Sequence, residues 1–392
     1  MRALIMLENR FIKDNQGNIW CDRIIDYNFL KRYLEVFEEI TVCGRFKKVD
    51  RVSNKLLVNG DGVSFIELPN FTGAYGTIKE YRNVRKIVKK NLKDIDCAIL
   101  RGPSHLSLIT YDIFMKNNKK FAVEFVMAAN KMFEGKGLIN KVLNNIVDKK
   151  AKKMCMKANG VAYVTERILQ DKYPCKAMKL ENTEYFTTNY STIDLDEGMF
   201  YKQKWKVENK PDIFEIIHTG YMDSYRKGQG ILIKAIKEVR DSGLNVELNL
   251  IGDGKKRTEF EQLTKKLEIN EFVNFLGLIN DKNILFENLR KSHILVLPTQ
   301  SEGLPRSIIE AMAVGLPCIA SPVDGIPELL DSSFLIECED YSEYAKKIIE
   351  LINNWENMIQ ISKKNYKTAK KYSKENLDKK RHDFYTNLKN IS

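Results

Sequence analysis

The chain has 392 residues, of which 43% are hydrophobic, and a formal net charge of +12. That length exceeds one comfortable hydrophobic core and points to two domains, and no apolar run approaches the roughly 20 residues needed to span a bilayer. Seven scattered cysteines with no C-x-x-C pair, and four histidines with no metal-sharing spacing, argue against a disulfide frame or a zinc site and for reduced thiols in a cytosol.

The N-terminal run from Ala3 to Leu7 is too short for a signal peptide and reads as a first strand within residues 2–7. A helix is expected from about Asp22 to Phe37, then strands at Ile40–Cys43, Ile95–Leu100, Phe121–Val126 and Gly160–Thr165. The turn-rich, polar stretch from Glu181 to Gln203 reads as a linker. Beyond it the alternation is cleaner. Strands are expected at Asp212–His218, Val246–Ile251 and Phe272–Leu276, with helices at Gln229–Ser242, Lys255–Leu267 and Asn283–Arg290. Strands alternating with helices imply parallel sheets and an α/β class. Charge divides unevenly: residues 1–200 hold 34 Lys+Arg against 24 Asp+Glu, or +10, and residues 201–392 hold 30 against 28, or +2. The basic first half suits an anionic membrane surface, a pyrophosphate-bearing substrate or nucleic acid, as well as plain solvation.

The densest signal lies between Thr299 and Leu330. Glu302 and Glu310 stand eight residues apart, with Gly303-Leu304-Pro305 between them opening a helix. Apolar runs at His293–Leu297 and Pro317–Ala320 flank this unit, which reads as strand, tight loop, helix, strand. An open helix N-terminus offers unpaired N–H groups and a positive dipole end, a site for phosphate or sugar hydroxyls. The second loop, Asp324-Gly325-Ile326-Pro327-Glu328, follows the second strand.

This E-x7-E pattern, followed by A-M-A-x-G-x-P and a D-G-I-P-E loop, resembles the retaining glycosyltransferases of family 4. The likeness is good over residues 212–340 and looser before them. It implies the GT-B fold, two Rossmann-like domains facing each other across a cleft. The expected domains are 1–203 for the acceptor and 204–365 for a nucleotide-sugar donor, with 366–392 as a helix packing back on the first. The resemblance implies that Lys227 lies on the donor diphosphate as a catalytic cation. The family's arginine position is taken by Tyr221, and Arg226 offers a cation in another register. Gly220, Gly252 and Asp253 would line the nucleotide side, and Gly277 and Leu278 would frame the base through their backbone. Glu310 would accept from ribose hydroxyls, Glu302 would lie by the donor sugar as a catalytic carboxylate, and Gly303 and Leu304 would offer N–H groups.

The first half carries less. The family's histidine after the Phe121–Val126 strand is missing, and Glu124 is the nearest ionisable group, a third catalytic candidate. Arg101 is placed to meet an anionic acceptor or to form a structural ion pair. Residues 131–157 hold eight lysines against two acids, and Ile139, Val142, Leu143, Ile146, Val147 and Met154 share a helical face that suits an anionic membrane or a core. Asp94-Ile95-Asp96 and Asp194-Leu195-Asp196 look like a D-x-D metal motif but lie before a strand and in the linker, so no divalent metal and no other cofactor is expected. The implied function is retaining sugar transfer from a nucleoside diphosphate to a glycan, or to a polyprenyl-diphosphate-linked acceptor, in capsule, exopolysaccharide or O-antigen assembly. The expected location is cytoplasmic and peripheral to the membrane. A nucleotide-sugar epimerase or hydrolase of the same fold and a non-catalytic nucleotide-binding subunit remain open. Nucleic-acid binding is disfavoured, because Phe133 is the one aromatic in the basic 131–157 segment.

Overall fold

A computed structural model describes residues 1–22, 25–53, 55–133, 137–180, 182–203 and 205–392. Residues 23 and 24 of the expected first helix, and 134–136 of the basic segment, lie outside the described residues. The chain divides into two compact units, Met1–Tyr190 with Asp378–Ser392, and Ser191–Leu377. The division falls after Tyr190 rather than 203. Residues 191–203 hydrogen-bond within the second unit, as when Tyr201 N–H donates to the Ala313 carbonyl and Arg290 to that of Gly198. It falls again after Leu377 rather than 365, since the helix Trp355–Ala369 runs unbroken through 366.

The first unit holds, among the described residues, nine strands: β1 (Arg2–Lys13), β2 (Ile19–Cys21), β3 (Glu39–Lys48), β4 (Leu56–Leu57), β5 (Val63–Leu68), β6 (Cys97–Gly102), β7 (Lys120–Phe125), β8 (Gly160–Tyr163) and β9 (Phe186–Asn189). β5-β3-β1-β6-β7-β8-β9 run parallel, and β2 and β4 add an antiparallel extension. Its helices are α1 (Tyr27–Leu34), α2 (Gly73–Lys90), α3 (His105–Lys116), α4 (Leu138–Lys157) and α5 (Ile168–Lys172). The expected first strand stops at residue 7, but β1 continues to Lys13. A register shift against β3 between Met6 and Arg10 lets it resume. Glu8 sits at that shift, and its carboxylate accepts from the Leu106 N–H at 3.0 Å and pairs with Arg45 at 2.8 Å. It thereby answers one of the open N–H groups at the start of α3.

The second unit holds five parallel strands in the order β12-β11-β10-β13-β14: β10 (Phe214–Thr219), β11 (Val246–Ile251), β12 (Val273–Gly277), β13 (Ile294–Leu297) and β14 (Cys318–Ala320). α6 (Gln229–Asp241), α7 (Arg257–Lys266), α8 (Lys282–Lys291), α9 (Arg306–Ala313), α10 (Tyr341–Asn353) and α11 (Trp355–Ala369) complete it. Strands buried on both faces need apolar residues throughout, and ILVL of β13 meets that demand at all four positions. The last helix, α12 (Lys374–Asn390), begins in this unit and ends in the first.

The surroundings of Glu124, a catalytic candidate from the sequence, suit a structural role. It is 3% exposed, at the centre of the first unit. Oε2 accepts from Tyr33 at 3.0 Å and Arg101 at 2.9 Å, and Oε1 from Tyr190 at 2.9 Å and Tyr385 at 2.6 Å. Arg101, expected at an anionic acceptor, spends its Nη1 on this carboxylate. The two residues thus join α1, β6, β7, the end of β9 and α12. Burial pushes the Glu124 carboxyl up, but Arg101, the Tyr385 hydroxyl, Arg32 and the Tyr190 hydroxyl together outweigh it and hold the pKa below its ordinary 4.5. A depressed carboxyl stabilises the native state above pH 4.5, and that stability is lost as pH falls through the native value.

Glu124→Ala should therefore cost about 3–5 kcal/mol in urea unfolding at pH 7, the range for stranding one partner of a buried pair. The deficit should shrink on acidification below pH 4.5. A residue acting on substrate would instead lose turnover at unchanged stability.

Candidate functional site

In an open parallel sheet, ligands sit beyond the carboxyl ends of the strands where the winding reverses. In the second unit that point lies between β10 and β13: the chain winds outward from β10 to β11 and β12, then returns to lay β13 on the other side. The loops that leave these two strands carry Lys227 and Glu302.

Ser224 accepts from the Arg226 N–H and starts a single 3-10 turn, Tyr225–Lys227. Gly228 ends the turn at φ +79°, where a Cβ would come within 2.0 Å of the Pro298 carbonyl oxygen. Only glycine permits that approach. The Arg226 carbonyl then accepts from the Gln300 N–H at 2.9 Å and from the Thr299 hydroxyl at 3.3 Å. Thus tethered, Lys227 Nζ reaches Glu302 Oε1 at 2.5 Å, with both side chains largely buried. The Arg226 side chain is exposed, and among the described residues no carboxylate pairs with it.

The loops after β10, β11 and β12 are tied together through their main chains. Gly220 N–H donates to the Ile251 carbonyl, Gly252 N–H to that of Gly277, and Met222 N–H to that of Asp253. Gly252, at φ +138°, would bring a Cβ within 2.0 Å of the Gly220 oxygen. Asp253 accepts from the Gly254 N–H and lies 3.8 Å from Arg257. Gly277 adopts φ +71°, and Leu278 beyond it is half-exposed. The structure thus gathers Gly220, Gly252, Asp253, Gly277 and Leu278 along one edge of the sheet.

On the other side, α9 opens after Pro305, which offers no side-chain cap. The first N–H groups of α9 therefore point out unanswered by a cap and carry the positive end of the helix dipole. Glu310 lies a turn further in, half-buried, with no hydrogen-bond or ion-pair partner among the described residues. Burial pushes its pKa above the ordinary 4.5, against the pull of Arg306 and Lys282. Leu304 is buried, and Gly303 is half-buried beside it.

Asp324 is the residue that sequence reasoning did not assign. Its Oδ2 accepts from the Glu302 N–H at 2.8 Å and the Ser301 hydroxyl at 3.2 Å, while Gly325 N–H donates to the Gly303 carbonyl at 2.9 Å. The second loop therefore fixes the first. Asp324 sits at φ +49°, a conformation that aspartate tolerates better than most residues. His218 is the second omission. Fully buried, its Nδ1 lies 2.9 Å from the Val296 carbonyl and so links β10 to β13. Burial pulls its pKa down to about 4, which keeps the ring neutral beneath Lys227.

Both acidic triplets are engaged elsewhere. Asp194 pairs with Lys282 and Lys374, and Asp96 accepts from the Arg2 N–H. Among the described residues no group of three His, Cys, Asp or Glu could hold a metal ion.

Two Rossmann-like units, each built on a parallel sheet, give the chain the GT-B fold. The chain matches HepE from Anabaena, solved in complex with UDP, with a TM-score of 0.65 at 15% identity over 97% of this chain and 98% of that one. Residues 214–354, which contain β10 to β14 and both loops, match the family model described as glycosyl transferases group 1. Protein CapJ of Staphylococcus aureus is 27% identical over 382 residues, 97% of this chain and 93% of its own. An uncharacterized glycosyltransferase of Haemophilus influenzae is 34% identical over 199 residues, 50% of this chain and 54% of its own. The Vi polysaccharide biosynthesis protein VipC/TviE of Salmonella typhi is 32% identical over 111 residues, 26% of this chain and 19% of its own.

The unpartnered Glu310 yields a prediction with a fixed sign. Its raised carboxyl destabilises the ligand-free native state at pH above 4.5, because the charged form is desolvated, and costs nothing below that value, where it is protonated folded and unfolded alike. Glu310→Gln should therefore melt higher than the parent at pH 7, with the difference vanishing towards pH 4. Differential scanning calorimetry across that range checks it.

Proposed function

We propose that this protein is a glycosyltransferase that moves a sugar from a nucleoside-diphosphate donor to a hydroxyl of a glycan acceptor, with retention at the anomeric carbon. The observation that carries the reading is the grouping, where the second sheet reverses its winding, of Lys227, Glu302, the uncapped N-terminus of α9 and the partnerless Glu310. A cation and open N–H groups suit a diphosphate, and a half-buried carboxylate without a partner suits ribose hydroxyls. The diphosphate would draw Lys227 away from Glu302 and leave that carboxylate facing the sugar. Main-chain groups around Gly277 would frame the base.

In the reaction the bond from sugar C1 to the diphosphate oxygen breaks, and the acceptor oxygen bonds C1 on the same face. The acceptor's proton passes to the departing diphosphate oxygen, so no separate general base is called for. Lys227 and the α9 N-terminus stabilise the charge that grows on the leaving group. No divalent metal takes part. The acceptor in this reading is a growing polysaccharide carried on a polyprenyl diphosphate; the likeness to a Vi polysaccharide biosynthesis protein supports the polysaccharide part. Glu124 and Arg101 support the fold of the first unit and stand outside the chemistry.

A thermal-shift titration with UDP, GDP, ADP and CDP, without metal, tests the donor site. One nucleotide should raise the melting temperature, and Lys227→Ala and Glu310→Ala should each abolish the rise. No shift with any nucleotide at millimolar concentration would sink the reading. With the donor in hand, Lys227→Ala should lower kcat by about 100-fold or more, EDTA should leave turnover unchanged, and proton NMR of the product should show the donor's anomeric configuration.

A further inference from the structure

α2 and α4 leave large apolar side chains in water. On α2, Tyr75 is 81% exposed and Ile78 71%; on α4, Leu138 is 81%, Ile139 76% and Val142 57% exposed. Ile139, Val142 and Ile146 recur at the spacing of one helical stripe. The stripe lies beside an apolar groove of about 340 Å³ between α2, α3 and α4. Leu108 and Ile109 of α3 belong to its lining, with Ile78 and Tyr81 from α2 and Ile146 and Val147 from α4.

Charge surrounds this apolar strip. α2 carries six Lys and Arg against Glu80, and α4 carries six Lys against Asp148. Arg85 is used on Asp112, and Lys152 on Asp148. The other ten cations are exposed, and among the described residues no carboxylate pairs with any of them. Lys79, Arg82 and Lys150 stand at the groove itself. The exposed apolar side chains of α4, Leu138, Ile139, Val142 and Ile146, are all aliphatic and cannot stack on bases, unlike the aromatic rows of a single-stranded nucleic-acid platform. Hydrocarbon below a rim of unpaired cations is complementary to a layer of acyl chains below a plane of phosphates.

We propose that the α2–α4 face docks on an anionic phospholipid bilayer. Ile78, Leu138, Ile139 and Val142 enter the boundary between headgroups and acyl chains, and the lysines reach back to lipid phosphates. The groove takes the end of one acyl chain. No helix of the described residues is long and apolar enough to cross a membrane, so this face would hold the protein on the surface. The docking does not depend on the sugar-transfer reading, and nucleotide binding by the second unit reports separately on that.

Co-sedimentation of the full chain with phosphatidylcholine vesicles, with and without phosphatidylglycerol, tests the proposal. Two variants accompany it, Ile78→Ser/Ile139→Ser/Val142→Ser and Lys141→Glu/Lys149→Glu/Lys153→Glu. All the changed side chains are exposed, and unaltered melting temperatures check the fold. The expected result is binding only when phosphatidylglycerol is present, weakened by salt, and at least about tenfold weaker in each variant. Absence of binding to anionic vesicles, equal binding to neutral ones, or binding unchanged in both variants would overturn it. So would lipid-free self-association that the triple serine variant abolishes, since the face would then belong to a second copy of the chain.

Discussion

The site depends on backbone passing where a side chain would stand. At Gly228 the Pro298 oxygen occupies the space of a Cβ, and at Gly252 the Gly220 oxygen does the same. These approaches draw the loops from four neighbouring strands into a single hydrogen-bonded edge. Lys227 reaches Glu302 because its turn is pressed on residues 298–300, and Glu302 holds its place because Asp324 grips its amide. In the proposed reaction the charged groups contribute the chemistry, while their positions follow from glycine contacts, main-chain hydrogen bonds and the grip of the Asp324 carboxylate.

That division explains what the sequence made legible in the second unit. Apolar residues alternate with polar ones through most of Val246–Ile251 and fill the run before Thr299, so both read directly as strands, and the glycines after them marked the turns. The two glutamates stood out by their spacing around a Gly-Leu-Pro turn, and Lys227 through the resemblance to the retaining glycosyltransferases of family 4. Asp324 was hidden. Its importance comes from a left-handed backbone and an amide 22 residues upstream, and neither leaves a trace in local composition. His218 was hidden for the opposite reason: a lone histidine inside an apolar strand looks like filler until its partner on β13 is known.

The first unit was harder to read for physical reasons that its elements show one by one. β1 crosses a register shift that interrupts its apolar alternation, so it looked half its length. β5, VSFIEL, has exposed and buried positions mixed at an edge and was not recognised. α2 carries two glycines and a threonine in its first five residues and buries only Val84 and Val88, so neither helix formers at its start nor a wide core face announced it. Glu124 was noticed as the ionisable group nearest the missing histidine, and a glutamate inside a strand must be answered by something. The answer comes from residues 66, 91 and 261 positions away, so it is invisible to any reading of neighbours.

That last separation bears on how the protein is made. Tyr385 stacks on Tyr33 with ring centroids 4.9 Å apart as well as binding Glu124, so the centre of the first unit includes a side chain near the far end of the chain. A ribosome delivers residues at about 5–20 per second, which leaves the first 190 residues emerged for many seconds before their final helix exists. During that interval Glu124 and Arg101 lack one of their enclosing walls, while the second unit holds all its strands in one continuous stretch and can close as soon as it is released. The unit synthesised first is therefore the one completed last.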